Sequence, residues 1–442
     1  MPFPLPRPAA TTLAVAVALG ALSGCGDDSK VPSDQSGQKQ SVVQVPGDAE
    51  TIGDALEVVE ENGLVLVAPG TYREQVLIDV EGVTLRGTER NGVVITGEGT
   101  RTAGVIAIAD GVRIENLTVT DTLLYGVLVT GTHEGNEVLT PAQNGYDQFD
   151  PAKFPPLQRF RVDHVTATNN GLYGIYAFNT QHGVIADSWA SGSADSGIYV
   201  GQCRDCDTVV TGNVAAHNAV GFENANASDS LTVIGNRFSE NRVGLTLTSN
   251  YQEAFVPQRG NLVAGNVISD NNDAGSPAQA DGAFGIGVGV AGGQDNVLLR
   301  NRITGNDNAG VIVQNAEDVP STGNTFEGNV LADNRADLVN LSIPEHPASR
   351  TCLKGQGLGQ LILHPKGFGR TCTADPDPAT TPLPGISVPE GVAFLEVIRP
   401  GALPSLPAST DVPAPLPATV THPAAADIAL PAVSLLAGLG HR

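Results

Sequence analysis

Between residues 207 and 334 one phrase recurs: VVTGNVAAHN (209–218), VIGNRFSEN (233–241), LVAGNVISDN (262–271), LLRNRITGN (298–306) and FEGNVLADN (326–334). The first Asn of each copy is Asn213, Asn236, Asn266, Asn301 and Asn329. The second follows five residues on, at Asn218, Asn241, Asn271, Asn306 and Asn334. Gly and a short apolar run come next, as in GFEN at Gly221, GLTLT at Gly244 and GVIVQ at Gly310; in the Asn266 copy the run GIGVGV at Gly285 arrives late. A fixed repeat of this kind marks a solenoid. The apolar runs are short and rich in Val and Ile, which suits strands better than helices. An uninterrupted copy takes 23 residues, Asn213 to Asn236, enough for one coil of three short strands. Asn tolerates turn conformations, and its amide both donates and accepts. Stacked copies are therefore expected to form hydrogen-bonded asparagine ladders.

The phrase continues more loosely towards the N-terminus, as Asn116…Asp121…Gly126, His164…Asn169…Gly174 and Asp187…Gly192…Gly197. This spacing places His164 in the ladder, with a structural role. The chain has 442 residues, 52 of them Gly, with only 5% aromatic and 16% charged residues, as a narrow β-core with many turns requires. A solenoid of this length can remain a single unit. The net charge of −23 argues against a nucleic-acid partner.

Residues 1–25 read as a targeting segment. Arg7 precedes an apolar run over 11–22, and Leu22-Ser23-Gly24-Cys25 resembles a bacterial lipoprotein signal, with Cys25 as the lipidated residue. Residues 26–41 are polar and predict a disordered tether. The expected location is extracytoplasmic, on the outer face of the cell membrane. Contact with the membrane would be through the anchor alone, and a monomer is expected.

Residues 42–342 are expected to form the β-helix. A strand at 42–45 precedes a helical pattern over 51–61, with apolar Ile52, Ala55, Leu56 and Val59 and with Asp48 and Thr51 as possible caps. An amphipathic helix there would cover the open end of the first coil. The helix, then VAPGTYRE (67–74), then GVTLRG (82–87) resembles the entry segment of right-handed parallel β-helix proteins of the pectin-lyase-like fold. The ladder is similar to the repeats of that superfamily, including NosD-like periplasmic proteins. The resemblance specifies an all-β fold and little about function, because the fold carries lyases, hydrolases, epimerases and non-enzymes alike.

The strand order that the resemblance implies makes the Gly-led run the first strand of each coil. The insertions at 131–159, 202–206 and 250–260 follow that strand, and the insertion at 272–283 precedes it. They would wall a groove along one sheet, where substrates lie in the pectin-lyase-like fold. Alternation then predicts an outward column Leu128, Tyr176, Tyr199, Glu223, Thr246, Gly287, Ile312. A second reads Thr130, Phe178, Gly201, Ala225, Thr248, Gly289, Gln314. Exposed Tyr176, Phe178 and Tyr199, with Asp205 and Tyr251 from the loops, are candidate sugar-binding residues, although the aromatics would also serve to support the 131–159 loop. Glu223 and Asp195 are candidate acid/base groups and Arg204 a candidate charge stabiliser or base. Neither the paired Asp cluster of calcium-dependent pectate lyases nor the Asp-Pro-His-Asp signature of alginate epimerases is present. No cofactor is implied with certainty, and the acidic surface permits calcium.

Cys203 and Cys206 suggest a local disulfide, and Cys352 and Cys372 a second one closing a C-terminal cap over 343–375. Residues 376–442 are Pro- and Ala-rich and predict extended, solvated, mostly irregular chain, with VAFLEV (392–397) as a possible added strand. Three readings follow. The first is an anchored protein that binds a polysaccharide or another envelope component. The second is a carbohydrate-active lyase, hydrolase or epimerase. The third is a NosD-like accessory protein for an envelope metalloenzyme, which requires Cys203 and Cys206 reduced.

Overall fold

The computed structural model describes residues 39–139, 149–355, 357–358, 362–363, 368–369 and 385–440. The targeting segment, Cys25 and most of the tether lie outside these residues. Gln40–Val45 forms the first strand, so the folded part begins two residues before the expected boundary. The capping helix, Ile52–Val58, is shorter than its apolar pattern suggested. Thr51 and Asp54 close a capping box at its start, and Val59 already opens a strand.

From there the chain winds as stacked coils whose strands pair in parallel with those of the next coil. Among the described residues one sheet has eleven strands, from Val76–Ile78 through Tyr173–Phe178, Ser196–Cys203, Val220–Ala227 and Val243–Thr248 to Ile362–Leu363. The coils therefore run past residue 342, where the β-helix was expected to end. Strands Thr351–Lys354 and Phe368–Gly369 pair in parallel within the segment read as a cap. Cys352 lies in the first of these, and its expected partner Cys372 lies outside the described residues.

The asparagine ladders are present. Asn213 Nδ2 donates to Asn236 Oδ1 at 3.0 Å, and the pattern repeats through Asn266 and Asn301 to Asn329. A second ladder links Asn218, Asn241, Asn271, Asn306 and Asn334 at 2.8–3.1 Å. The phrase did not announce a third, in which the Asn261 backbone N–H donates to Asn296 Oδ1 and Asn296 Nδ2 to Asn324 Oδ1, both at 3.1 Å. Each Asn also satisfies backbone groups inside the turns, which would otherwise be orphaned in a water-free interior.

In the earlier coils the expected frame is shifted by one residue. Strand register aligns Asp163 with Ala186 and Ala186 with Thr211, so Asn116, His164 and Asp187 match Gly212 and not Asn213. All four have positive φ, between 46° and 68°. Asn, Asp and Gly all tolerate this left-handed position, which is why composition alone could not separate it from the ladder. The ladder itself passes through Ser188, Ser193 and Asn170. His164 is thus a turn residue whose Nδ1 contacts Asp163 at 2.5 Å.

The Pro-rich extension adds to a second expectation. Over 385–440 it is irregular and mostly exposed, as its composition implies, but it is also docked on the coils. Proline offers a carbonyl and no N–H, whereas arginine offers donors and no acceptor. Buried Arg242 donates to the carbonyls of Pro389 and Glu390, both at 2.8 Å, and buried Arg90 to that of Pro404 at 3.3 Å. Arg113 reaches Ala414 at 2.8 Å and Arg302 reaches Pro431 at 3.2 Å. The expected strand at 392–397 is a single turn, Phe394–Glu396, held by Asn169 Nδ2 on the carbonyls of Phe394 and Val397. His422 Nε2 and His182 Nδ1 both contact Asp207, each at 2.7 Å, and tie the strap to the coils.

Candidate functional site

In the eleven-stranded sheet the residue after each Gly points inward: Val127, Ile175, Ile198, Phe222, Leu245 and Val288 are all fully buried. The next residue faces out, and register lines up Leu128, Tyr176, Tyr199, Glu223, Thr246, Gly289 and Ile312. The sixth member is Gly289, not Gly287. Ile286 pairs with Val243, so the late-arriving strand starts two residues further on than its text suggested. The second column shifts likewise, with Ala291 where Gly289 was expected.

This column floors a cavity of about 940 Å³. Asn250, Gln252 and Glu253 form one wall, and Gln279, Ala280 and Asp281 the other. The two walls come from the insertions after and before the first strand. Gly385 and Ile386, where the described part of the extension starts, lie at its edge.

The aromatics are not exposed as expected. Phe178 is fully buried, and Phe149 of the long insertion packs against it with ring centres 6.1 Å apart. Phe178 therefore supports that loop and does not line the cavity. Tyr176 and Tyr199 are also buried, at 2% and 3% exposure, because Tyr125 and Tyr173 crowd them. Tyr176 lies 4.5 Å from Tyr173 and 4.9 Å from Tyr199, ring centre to ring centre. The four tyrosines still reach the cavity, as a packed block at one end with only partial faces free.

The acids form the second feature. Asp195 and Glu223 sit half-buried on adjacent coils. Ser196 Oγ lies 3.3 Å from Asp195 Oδ1 and makes a shorter contact with Glu223 Oε2. Burial pushes Asp195 up to about 6, and nearby Asp281 adds to this while Ser196 and Tyr173 oppose it. Burial and then the charge of Asp195 push Glu223 well above the usual carboxyl range. A serine hydroxyl donates one proton. It can therefore serve only one of the two carboxylates, and the bridge is complete when the other acid carries a proton of its own.

Glu253, on the 250–260 insertion, is the group that the strand columns could not reveal. It is 3% exposed, and Tyr199 Oη donates to its Oε1. Its Oε2 is buried without a hydrogen-bond partner. Burial pushes its pKa up to about 8 against the pull of the Tyr199 bond.

Arg204 and Asp205 do not join this site. Both are exposed, and the Arg204 guanidinium lies over the Phe255 ring, 5.1 Å from its centre. Tyr251 is exposed, and its hydroxyl donates to Asp318 at 2.5 Å, outside the cavity lining. Cys203 and Cys206 are bonded and buried, so they offer no thiolate to a metal or redox partner. Among the described residues only Asp163, His164 and Asp187 bring three metal-ligand atoms within 4.8 Å of one another. Both Asp163 oxygens already accept, from Arg161 and His164. The groove acids form no such compact cluster.

Residues 71–258 match the family model described as the right handed beta helix region. No curated protein matches the chain. Two solved structures similar to it are the A-modules of the Azotobacter vinelandii mannuronan C-5 epimerases AlgE4 and AlgE6. Their identities are 18% and 17%, with 68% and 72% of this chain and 87% and 91% of theirs covered, and a TM-score of 0.47 for each. XylC in complex with xylose is similar at 10% identity, covering 70% of this chain and 83% of that chain, with a TM-score of 0.44. The parallel coils, the ladders and the family match together identify the fold as a right-handed parallel β-helix.

Proposed function

We propose that the protein binds a polysaccharide chain in the groove over the eleven-stranded sheet. The observation that carries this reading is the cavity itself, with a straight floor of stacked coils, tyrosine edges at one end and carboxyls along it. From Tyr176 to Ile312 the floor rises five coil steps, about 24 Å at the usual strand spacing, which suits a chain better than a single small molecule. Phenol rings offer flat apolar faces, and carboxyls bond sugar hydroxyls. Lipid attachment at Cys25 would hold the groove on the outer face of the membrane. A glycan-array screen of the purified chain, with and without calcium, tests the binding reading. Replacing Cys25 by Ser and following lipid labelling tests the anchor.

The bridge Glu223–Ser196–Asp195 favours a second reading, turnover of the bound chain. A protonated and an ionised carboxyl side by side supply a general acid and a base or nucleophile. Shortened or unsaturated products from an array hit would establish it, and intact sugar after long incubation would leave binding alone.

A further inference from the structure

The groove's charge narrows the class of chain it takes. Asp195, Glu223, Glu253 and Asp281 line it, and among the described lining residues there is no Lys, Arg or His. A polyuronate would bring one carboxylate per sugar into this groove with no cation to meet it, and desolvating an unpaired charge is costly. A neutral sugar would offer the unpartnered Oε2 of Glu253 only a hydroxyl, a weaker donor to a carboxylate than a charged ammonium. These acids do not converge within 4.8 Å as three metal-ligand atoms, so they are not arranged around one compact cation. They are spread along the floor and both walls, as a series of positive charges on a chain would require.

We infer that the groove takes an amino-sugar polymer, whose free ammonium groups meet Glu253, Glu223 and Asp195 while its rings lie against the tyrosine block. This inference rests on the glycan reading of the groove. Ammonium donors would satisfy Glu253 Oε2, and the tyrosine faces add cation–π attraction. The groups facing Glu253 are the hydroxyl of Tyr199, the backbone N–H of Gln202 and the neighbouring acids. With no lining cation near, binding of an ammonium is what would let this carboxyl ionise. Burial holds Glu253 protonated at neutral pH and pushes Glu223 in the same direction, so capture of the chain displaces protons into solution.

The test is calorimetric titration of the full chain at pH 6 with hexamers of β-1,4-linked glucosamine, N-acetylglucosamine, glucose and galacturonate, and with hexalysine. Each is run in two buffers of different ionisation enthalpy, to count protons. The expected result is glucosamine binding at least tenfold tighter than its N-acetylated and neutral counterparts, with net proton release and with weakening in salt. Glu253→Gln should reduce that preference and the proton count, and Asp195→Asn serves as the second variant should the first fail to fold. Equal binding of neutral and amino hexamers would overturn the inference and leave the glycan reading standing. Tighter binding of galacturonate would overturn it too. Hexalysine binding as tightly as glucosamine would show that charge alone is read and would overturn the sugar class. If no sugar binds, the glycan reading itself falls.

Discussion

Arg242, wholly buried, donates to the carbonyl of Pro389, 147 positions further along the chain, at 2.8 Å. The same guanidinium reaches Glu390 and the carbonyl of Ser276, and it faces the Phe284 ring. One side chain thus fastens the start of the Pro-rich strap beside the loop that walls the groove.

Arg242→Met should free this end of the strap. It removes charge-assisted bonds of about 1.5–3 kcal/mol each and leaves carbonyls unsatisfied. The expected outcome is new protease cleavage near residues 385–400, with the β-sheet circular dichroism signal unchanged.

The ladders should be worth more than their single bonds. Asn236 accepts from both the backbone and the side chain of Asn213 and donates to Asn266 and Val210. Asn236→Leu leaves several buried groups unpaired and should cost about 3 kcal/mol or more, read from the urea midpoint. A Ser in its place, as Ser188 stands two coils earlier, should cost less, because the hydroxyl can still accept from one neighbour, as Ser188 Oγ does from the Val165 N–H.

Glu253 sets a pH dependence with a definite sign. Its folded pKa of about 8 lies above its ordinary 4.5, so the folded chain holds a proton that the unfolded chain has lost. Stability is fully present below about 4.5 and falls as pH rises through 8, by roughly 3–5 kcal/mol. Glu253→Gln should abolish that part of the decline. Parallel urea titrations at pH 5 and 8 check it.

His217 gives a second, independent titration. Its hydrogen bond with Asp273 raises its pKa, burial opposes this, and the charges of Asp273 and Glu240 add to the rise. Its contribution to stability is present below about 6.5 and is lost as pH rises through the folded value. NMR should show this imidazole titrating above 6.5, and Asp273→Asn should bring it down.

Much of the fold was legible because the coil phrase is written in residue types that few other conformations want. Val, Ile and Asn at fixed spacing place Asn213 over Asn236 whatever the loops do. The slip at Asn116 and His164 arose because the left-handed turn position and the ladder position beside it accept the same short polar residues. The aromatics were legible only as two alternatives, cleft or loop support, since the burial of Phe178 depends on Phe149 returning from an insertion with no period and that of Tyr176 on Tyr125 and Tyr173 closing over it. Glu253 lies on a loop outside the strand alternation, and only its fold-back onto Tyr199 places it in the groove. The strap was hidden for another reason. Its own composition reads as solvated, and the arginines that capture it are scattered singly over many coils.

The central claim is that a sugar chain lies along the groove floor, and Gly289 offers the most direct test of it. A side chain built there would project over the floor and meet Thr246 only at 3.7 Å, so Gly289→Trp obstructs the groove without entering the core. The measurement is the affinity of wild type and Gly289→Trp for the best-binding sugar of the glycan panel, with melting temperatures recorded alongside. The account predicts loss of binding by at least a hundredfold at an unchanged melting temperature. Equal affinity in the two proteins would contradict it.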